Sequence, residues 1–310
     1  MFEIMYSLAR RLARVFVTAL IVATISFVVV RIIPGDPAAI VAGMDASAER
    51  VLEIRERMGT NRPLFEQYTE WIASVLRGDF GRSLIQNRPV ADMIGERLPL
   101  TLALAGSAFI LTIAVSIPLG LRAAMKYRGV SDRVLDVFSH VGLAVPDFWA
   151  GIILLLVFSV YVQVFPLFGA DTAAHFVLPS VALALSRAAL LSRVVRGSVR
   201  AELRSGYVEG IRARGVSGGR LLWRHVLPNA LLPVISVAAV QLGYLLGGVI
   251  IIEQVFSMPG LGRLILNAVF QRDFPVVQAG VMLVAIGFSL INFLADTLYV
   301  LAEPRIRSRA

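Results

Sequence analysis

The sequence predicts an all-α polytopic membrane protein with six transmembrane helices, and three observations predict it. The 310-residue chain is 57% hydrophobic and only 16% charged, whereas soluble domains carry about 25% charged and about 45–50% apolar residues. Its apolar residues gather into six long runs, near the roughly 20 residues that a helix needs to cross a hydrocarbon core about 30 Å thick. Its surplus of basic residues, a net charge of +9, sorts to one side of those runs, which is the bias that sets membrane topology.

The first span covers about Leu12 to Ile33. It is longer than the apolar core of a secretory signal, about 7–15 residues, and its exit, Arg31 to Asp36, is no small-residue cleavage site, so it reads as a retained helix. Residues 34–98 then form an external helical segment. Ser47 is an N-cap for a charged helix carrying Val51, Leu52, Ile54 and Met58; Gly59 closes it and Pro63 opens a second helix with Phe65, Tyr68, Trp71, Ile72 and Val75 on one face. Two readings of this cap stand: a brace for the first helix, or a docking surface for an external partner. The second span runs from about Pro99 to Leu121, and the third from about Val134 to Val162, interrupted at Pro146. The fourth, about Phe176 to Val195, carries Arg187 and Arg193. The fifth (about Asn229 to Ile252) and sixth (about Val276 to Leu301) complete a five-helix core over residues 99–302, and residues 303–310 form a tail.

The charges orient these spans. The N-terminal arm (Arg10, Arg11, Arg14), the loop after the second span (Arg122, Lys126, Arg128, Arg133), the stretch Arg193 to Arg224 with eight arginines, and the tail (Arg305, Arg307, Arg309) hold 18 of the 30 basic residues. By the positive-inside rule that side is the cytoplasm and both termini lie there. Residues 34–98 balance eight arginines with ten acids and lie outside. The basic pI of about 10.7 is thereby topological, and nucleic acid drops out as a partner.

Loop 196–228 is the most informative stretch. It places Tyr207, Val208 and Ile211 on one face of a short helix, flanked by Arg212 and Arg214. Gly215 ends that helix, because glycine takes the left-handed C-terminal conformation readily. A second short helix with Leu221, Leu222 and Val226 ends near Pro228. Such an amphipathic segment either docks in a groove on another protein or lies among lipid headgroups with its arginines on anionic lipid.

Candidates for a path through the membrane are fewer. Gln241 puts an amide at mid-span, where it needs a partner or water; Gly243, Gly247 and Gly248 permit close helix packing, and Gly248 is also a candidate for the path. Glu253 at the external end reads as an outer gate or a contact for a binding protein, or as an interfacial carboxylate in water. Asp147, after Pro146, marks a break in the third helix facing the path. Arg187 faces protein or snorkels, and a buried structural role suits its place near a helix middle. The chain lacks cysteine, and its single lysine, Lys126, lies in no phosphate-binding G-x4-G-K-[ST] loop. His140, His175 and His225 are far apart, so no metal site is indicated, and there is no G-x-S-x-G elbow. The sequence thus predicts neither catalysis nor a bound cofactor.

Within that loop, Glu209-Gly210-Ile211, three residues, Gly215, nine residues and then His225-Val226-Leu227-Pro228 resemble the E-A-A-x3-G-x9-I-x-L-P motif of bacterial ABC importer permeases. Gly210 and Ile211 replace the two alanines and His225 the isoleucine. Arg224 to Pro233 (R-H-V-L-P-N-A-L-L-P) is similar to the dipeptide, oligopeptide and nickel branch. So are Arg31 to Pro37, Gly78 to Ser83, Glu96 to Pro99, Val255 to Gly262 and Arg272 to Gln278. The long external segment after the first span resembles the B-type subunit of that branch.

The resemblance implies a type I importer permease fold in a bacterial inner membrane. It implies a heterodimer with a C-type sister permease, one or two cytoplasmic ABC ATPase subunits that bind ATP and magnesium, and an extracytoplasmic binding protein. It further implies that Tyr207, Val208, Glu209, Gly210, Ile211, Arg212, Ala213 and Gly215 couple to the ATPase, with Tyr207, Val208 and Ile211 filling an apolar groove on it, while Arg224, His225 and Pro228 brace the loop. Peptides are the expected cargo; nickel chelates, glutathione or another small solute are alternatives in the same family. An ion-gradient secondary transporter, a different class, would call for acids or unwound segments at the midplane in repeated halves, and the sequence shows neither a repeat nor a mid-span acid pair.

Overall fold

The computed structural model of the chain describes residues 2–32, 37–43, 46–57 and 59–302. Within them no β-strand forms, and thirteen α-helices follow one another. Among the described residues five helices are long and apolar enough to cross a membrane, and the number is six if one bent pair of helices counts as a single span. Residues 33–36 of the Arg31 to Pro37 motif, Met58 and the tail arginines lie outside the described residues.

The chain divides into two compact units. The first comprises residues 1–13, 102–258 and 287–310. It takes the inner part of α5 (Val90–Met125), then α6 (Val130–Ala144), α7 (Asp147–Leu155), α8 (Ala174–Leu203), α9 (Gly206–Ala213), α10 (Gly218–Leu221) and α11 (Leu227–Val255). Helix α8 is its axis, packed by α6, α7 and α11. Small residues allow the close approaches, as expected where helices associate without a hydrophobic driving force. A Cβ on Gly120 would lie 2.6 Å from the Ser192 carbonyl oxygen, and one on Gly142 would lie 2.7 Å from Ala189 Cβ. Ser107 and Ser180 share a 2.7 Å hydrogen bond between α5 and α8.

The third span differs from the expected single interrupted helix. Helices α6 and α7 are separate and meet at 99°. Val145 is extended at φ −91°, ψ 119°, because a residue before proline is pushed out of the helical region. Pro146, with no N–H to donate, then serves as N-cap of α7. Helix α7 continues into a π-helical turn over Leu156–Tyr161.

The second unit comprises residues 14–101 and 259–286 and holds α2 (Pro37–Ala42), α3 (Ala48–Arg57), α4 (Leu64–Leu76), α12 (Leu261–Gln271) and the first turns of α13 (Phe274–Ala302) with parts of α1 (Phe2–Ile32) and α5. Ser47 Oγ accepts from the Arg50 N–H at 3.3 Å, as its N-cap position predicts, and Gly59 closes α3 at φ +65°. Helix α4 leans on α1: Tyr68 meets Phe27 edge-on at 5.1 Å between centroids, Trp71 lies 5.6 Å from the same ring, and the Tyr68 hydroxyl bonds Thr24 at 2.7 Å. The brace reading of the helices after the first span therefore holds for Tyr68 and Trp71. Phe65, expected on the same face, is instead 76% exposed.

Helix α12 is an amphipathic element that its sequence motif did not announce. It buries Leu261, Leu264, Ile265 and Ala268 at helical spacing against Val90, Met93 and Val276. The Leu261 N–H donates to Thr101 Oγ1 at 2.8 Å, which satisfies a helix N-terminal donor. After Arg272 turns left-handed at φ 56°, the buried Asp273 carboxylate accepts the Leu84 N–H at 3.0 Å and the Ser83 hydroxyl.

Candidate functional site

Helix α9 is closed as its glycine predicts. Gly215 sits at φ +83°, its N–H bonds the Arg212 carbonyl at 2.9 Å and the Val216 N–H reaches back to Ile211 at 3.4 Å. That double closure uses carbonyls that a helix end leaves unpaired. Val216 and Ile211 also pack against the same apolar cluster, which fixes the direction in which the chain leaves.

The apolar face of α9 points into its own chain. Val208 is fully buried in a cluster with Val195 and Val199 of α8, Leu221, Leu222 and Val226 of the following turns, and Leu227, Ala230 and Val234 of α11. The expectation that Val208 fills a groove on another protein is therefore corrected, and Ile211 is half-buried on the same side. An apolar stripe on a short helix buries against the nearest apolar surface, and here α8 and α11 supply it. The free face carries Glu209, Gly210, Arg212, Ala213, Arg214 and Gly215, all exposed.

Tyr207 also serves the loop itself. Its hydroxyl bonds the Glu202 carboxylate, lies 3.0 Å from the His225 carbonyl oxygen and accepts a 3.0 Å hydrogen bond from Asn229 Nδ2. Partial burial and the contact with Glu202 hold this phenol above its ordinary range, so it stays protonated and donating. Bracing of the loop thus passes through the His225 backbone, Tyr207 and Asn229. The Arg224 side chain, expected to brace, is exposed.

The second short helix does not end at Pro228. Helix α10 runs into a π-helical turn over Leu222–Val226 and on into α11, a single apolar stretch from Gly218 to Val255. Pro228 stands in the first turn of α11, where a missing N–H is tolerated. Where loop and helices join, Arg196 of α8 bonds Asp132 at 2.7 Å and Asp136 at 2.6 Å, and Arg200 reaches Asp132 at 2.7 Å. Asp132 also accepts the Arg128 N–H at 2.9 Å. Two of the eight arginines in the basic stretch are therefore pinned to α6 rather than free for lipid or partner, a pairing across about 60 residues that local charge counting does not reveal.

A cavity of about 360 Å³ in the first unit is lined by Leu143, Ser186, Arg187, Leu190, Gln241, Tyr244, Gly247 and Gly248. Two of the four path candidates, Gln241 and Gly248, line it, and a third, Asp147, bonds two of its lining residues. Asp147, at the start of α7, binds Arg187 Nη1 at 2.7 Å and Ser186 Oγ at 2.6 Å, and Gly248 faces that pair. Gln241 lines the cavity while mostly buried. The fourth candidate, Glu253, does not belong. It is fully buried, which corrects its readings as a contact for a binding protein and as a carboxylate in water, and it does not line the cavity. Its carbonyl accepts the Met258 N–H at 2.8 Å and helps terminate α11.

Residues 116–308 match the family described as binding-protein-dependent transport system inner membrane component, and residues 4–105 match the N-terminal family of the same membrane components. The chain is 39% identical over 298 residues to the glutathione transport system permease protein GsiC of Salmonella choleraesuis (strain SC-B67), covering 96% of this chain and 97% of that one. The GsiC of Escherichia coli (strain K12) is 38% identical with the same coverage. Among solved structures, an inward-facing MetNI methionine ABC transporter superposes with a TM-score of 0.57 at 19% identity, covering 68% of this chain and 96% of that one. That likeness speaks to the fold.

Proposed function

The chain belongs to the binding-protein-dependent transport system inner membrane components, the permeases of ABC importers, and from that premise we propose that it carries short peptides and peptide-like solutes, glutathione among them. It is a permease and not an enzyme. The relatives that support glutathione match along nearly the whole chain, and glutathione is itself a tripeptide, so the two readings of the cargo converge on one chemical class.

In this reading the chain pairs with a sister permease, forms half of a translocation path, and receives its cargo from a binding protein. Both termini and loop 196–228 face the cytoplasm, where separate ATPase subunits bind ATP and magnesium. The observation that carries the reading is the polar free face of α9, from Glu209 to Gly215, mounted on a fully buried Val208. A partner that pulls on that face moves α8 and α11 with it, because the cluster beneath α9 is built from both. Coupling thus proceeds through Glu209, Gly210, Arg212, Ala213 and Gly215 as contacts, with Tyr207, Val208 and Ile211 as the mount.

The test is uptake by proteoliposomes holding this chain, its sister permease, the ATPases and the loaded binding protein. Radiolabelled glutathione and dialanine are expected to accumulate with ATP inside, and a nickel chelate is not. Glu209→Lys is expected to abolish uptake while membrane insertion stays intact. Accumulation by this chain alone under an ion gradient, or normal uptake by Glu209→Lys, would overturn the reading.

A further inference from the structure

We propose that Arg187 is the anchor for a carboxylate of the transported solute, and that Asp147 occupies its place while the cavity is empty. The proposal rests on the peptide reading above, because every free short peptide carries at least one carboxylate.

Arg187 lies in the middle of α8, in a helix long and apolar enough to cross the membrane. An ionisable residue at such depth is costly and marks a site by default. Its bonding is one-sided. Nη1 donates to Asp147 Oδ2 and to Ser186 Oγ, both at 2.7 Å, whereas Nε is buried with no hydrogen-bond partner. A guanidinium presents five donors in a planar fork matched to a carboxylate, and here the edge formed by Nε and Nη2 is unfilled. Buried unpaired donors are rare enough that each calls for a reason.

The surroundings fit an incoming carboxylate. Gly248 leaves room beside the pair: a Cβ there would stand 3.2 Å from Arg187 Nη2 and 3.5 Å from Asp147 Oδ2, so any other residue would crowd it. Gln241 and Tyr244 line the same cavity and offer an amide and a phenol to the remainder of a peptide. Asp147 has a hydrogen-bond partner other than Arg187. Its Oδ1 accepts the Ser186 hydroxyl at 2.6 Å, and it opens the first turn of α7, where the helix dipole favours a negative charge. The guanidinium can therefore exchange one carboxylate for another with its charge matched throughout, whereas a lone buried arginine would have to be desolvated unpaired before each cargo arrived.

The rival role is a staple joining α7 to α8, and opposite signs separate the two. In the complete importer in proteoliposomes, with wild-type binding protein and radiolabelled dialanine and glutathione, Asp147→Asn removes the internal competitor. The double variant Asp147→Asn, Arg187→Gln replaces the pair by a neutral one that still hydrogen-bonds, so that folding is retained. The anchor predicts that Asp147→Asn lowers the half-saturating cargo concentration a few-fold while the double variant raises it about tenfold, the scale of one charge-assisted contact. Shifts in the same direction, or no shift in either variant, would overturn the anchor and leave a staple. If the wild-type complex takes up neither probe while hydrolysing ATP, the peptide reading fails and takes the anchor with it; if it takes up both and only the signs disagree, the anchor alone fails.

Discussion

Two glycines five residues apart in the coupling loop are expected to respond to alanine with opposite signs. Gly215 sits at φ +83° with nothing within 4 Å of an added Cβ, and Gly210 lies inside α9 at an ordinary helical φ with equally open surroundings. Neither substitution creates a clash, so only backbone preference remains. In Gly215→Ala an L-residue is forced left-handed, at about 1–2 kcal/mol. In Gly210→Ala the helix gains, by about 1 kcal/mol, from a better helix former. At RT of about 0.6 kcal/mol the first change multiplies the population with an opened α9 roughly 5- to 30-fold, and the second divides it about fivefold. Hydrogen exchange of the α9 amides in nanodiscs reads that population, and ATP-driven uptake reads its consequence. Gly215→Asn, which tolerates the left-handed region, should fall between Gly215→Ala and wild type. If Gly215→Ala exchanges no faster than wild type, closure by Gly215 is not what holds α9 in place. If Gly210→Ala exchanges faster, α9 is not an exposed helix governed by propensity.

Other substitutions probe the mount, the second unit and the helix contacts. Val208→Ala removes two methyl groups from a fully buried site and should loosen α9 by about 1.5–3 kcal/mol, seen as faster exchange and reduced coupling with unchanged membrane insertion. Tyr207→Phe removes one hydroxyl from its contacts with Glu202, the His225 carbonyl and Asn229 and should weaken the loop by about 1 kcal/mol, a partial loss of uptake. Asp273→Ala leaves the Leu84 N–H without its acceptor and should cost about 1–3 kcal/mol, read as a lower melting temperature in detergent. Gly142→Ala brings a methyl to 2.7 Å from Ala189 Cβ and 3.2 Å from the Leu185 carbonyl oxygen, neither able to rotate away. It should therefore cost about 1–3 kcal/mol, while Gly106→Ala, inside α5 with nothing within 4 Å, should hold or slightly raise the melting temperature, as helix propensity dictates.

What the sequence made legible was local. Apolar runs located the spans, and the N-cap at Ser47 and the left-handed turns at Gly59 and Gly215 appear where side-chain and backbone chemistry placed them. Helix α12 escaped because an amphipathic helix of 11 residues after Pro259-Gly260 is too short to register as a span and was met only as a motif. The π-helical turn at Leu222–Val226 escaped because it departs from the 3.6-residue period on which helix reading depends. Val208 shows a deeper limit. Amphipathic spacing says that one face of α9 seeks apolar company, but not whether that company is another protein or α8 and α11. Glu253 is the converse: a carboxylate near a span end reads as exposed, and only the packing of residues distant in sequence buries it.

The coupling loop and the cavity are joined by the helices that build both. Helix α8 contributes Leu191, Val195 and Val199 to the cluster beneath α9 and Arg187 to the cavity. Val199 and Arg187 are twelve residues apart, about 18 Å along an axis rising about 1.5 Å per residue. Helix α11 likewise gives Leu227, Ala230 and Val234 to the cluster and Gln241 and Gly248 to the cavity. Arg196 and Arg200 tie α8 to Asp132 at the start of α6, whose far end supplies Leu143 to the cavity wall. On the coupling role proposed for Glu209, a displacement there would reach the walls of the cavity through α8 and α11, with α6 tied to α8 by its ion pairs. Helix α7 is set off from α6 by the 99° break at Pro146 but packs on α8 and α11, and its Asp147 bonds Arg187 of α8 at 2.7 Å. On the coupling and anchor roles proposed above, the Asp147–Arg187 pair is one of the contacts on which loop motion and cargo would act together.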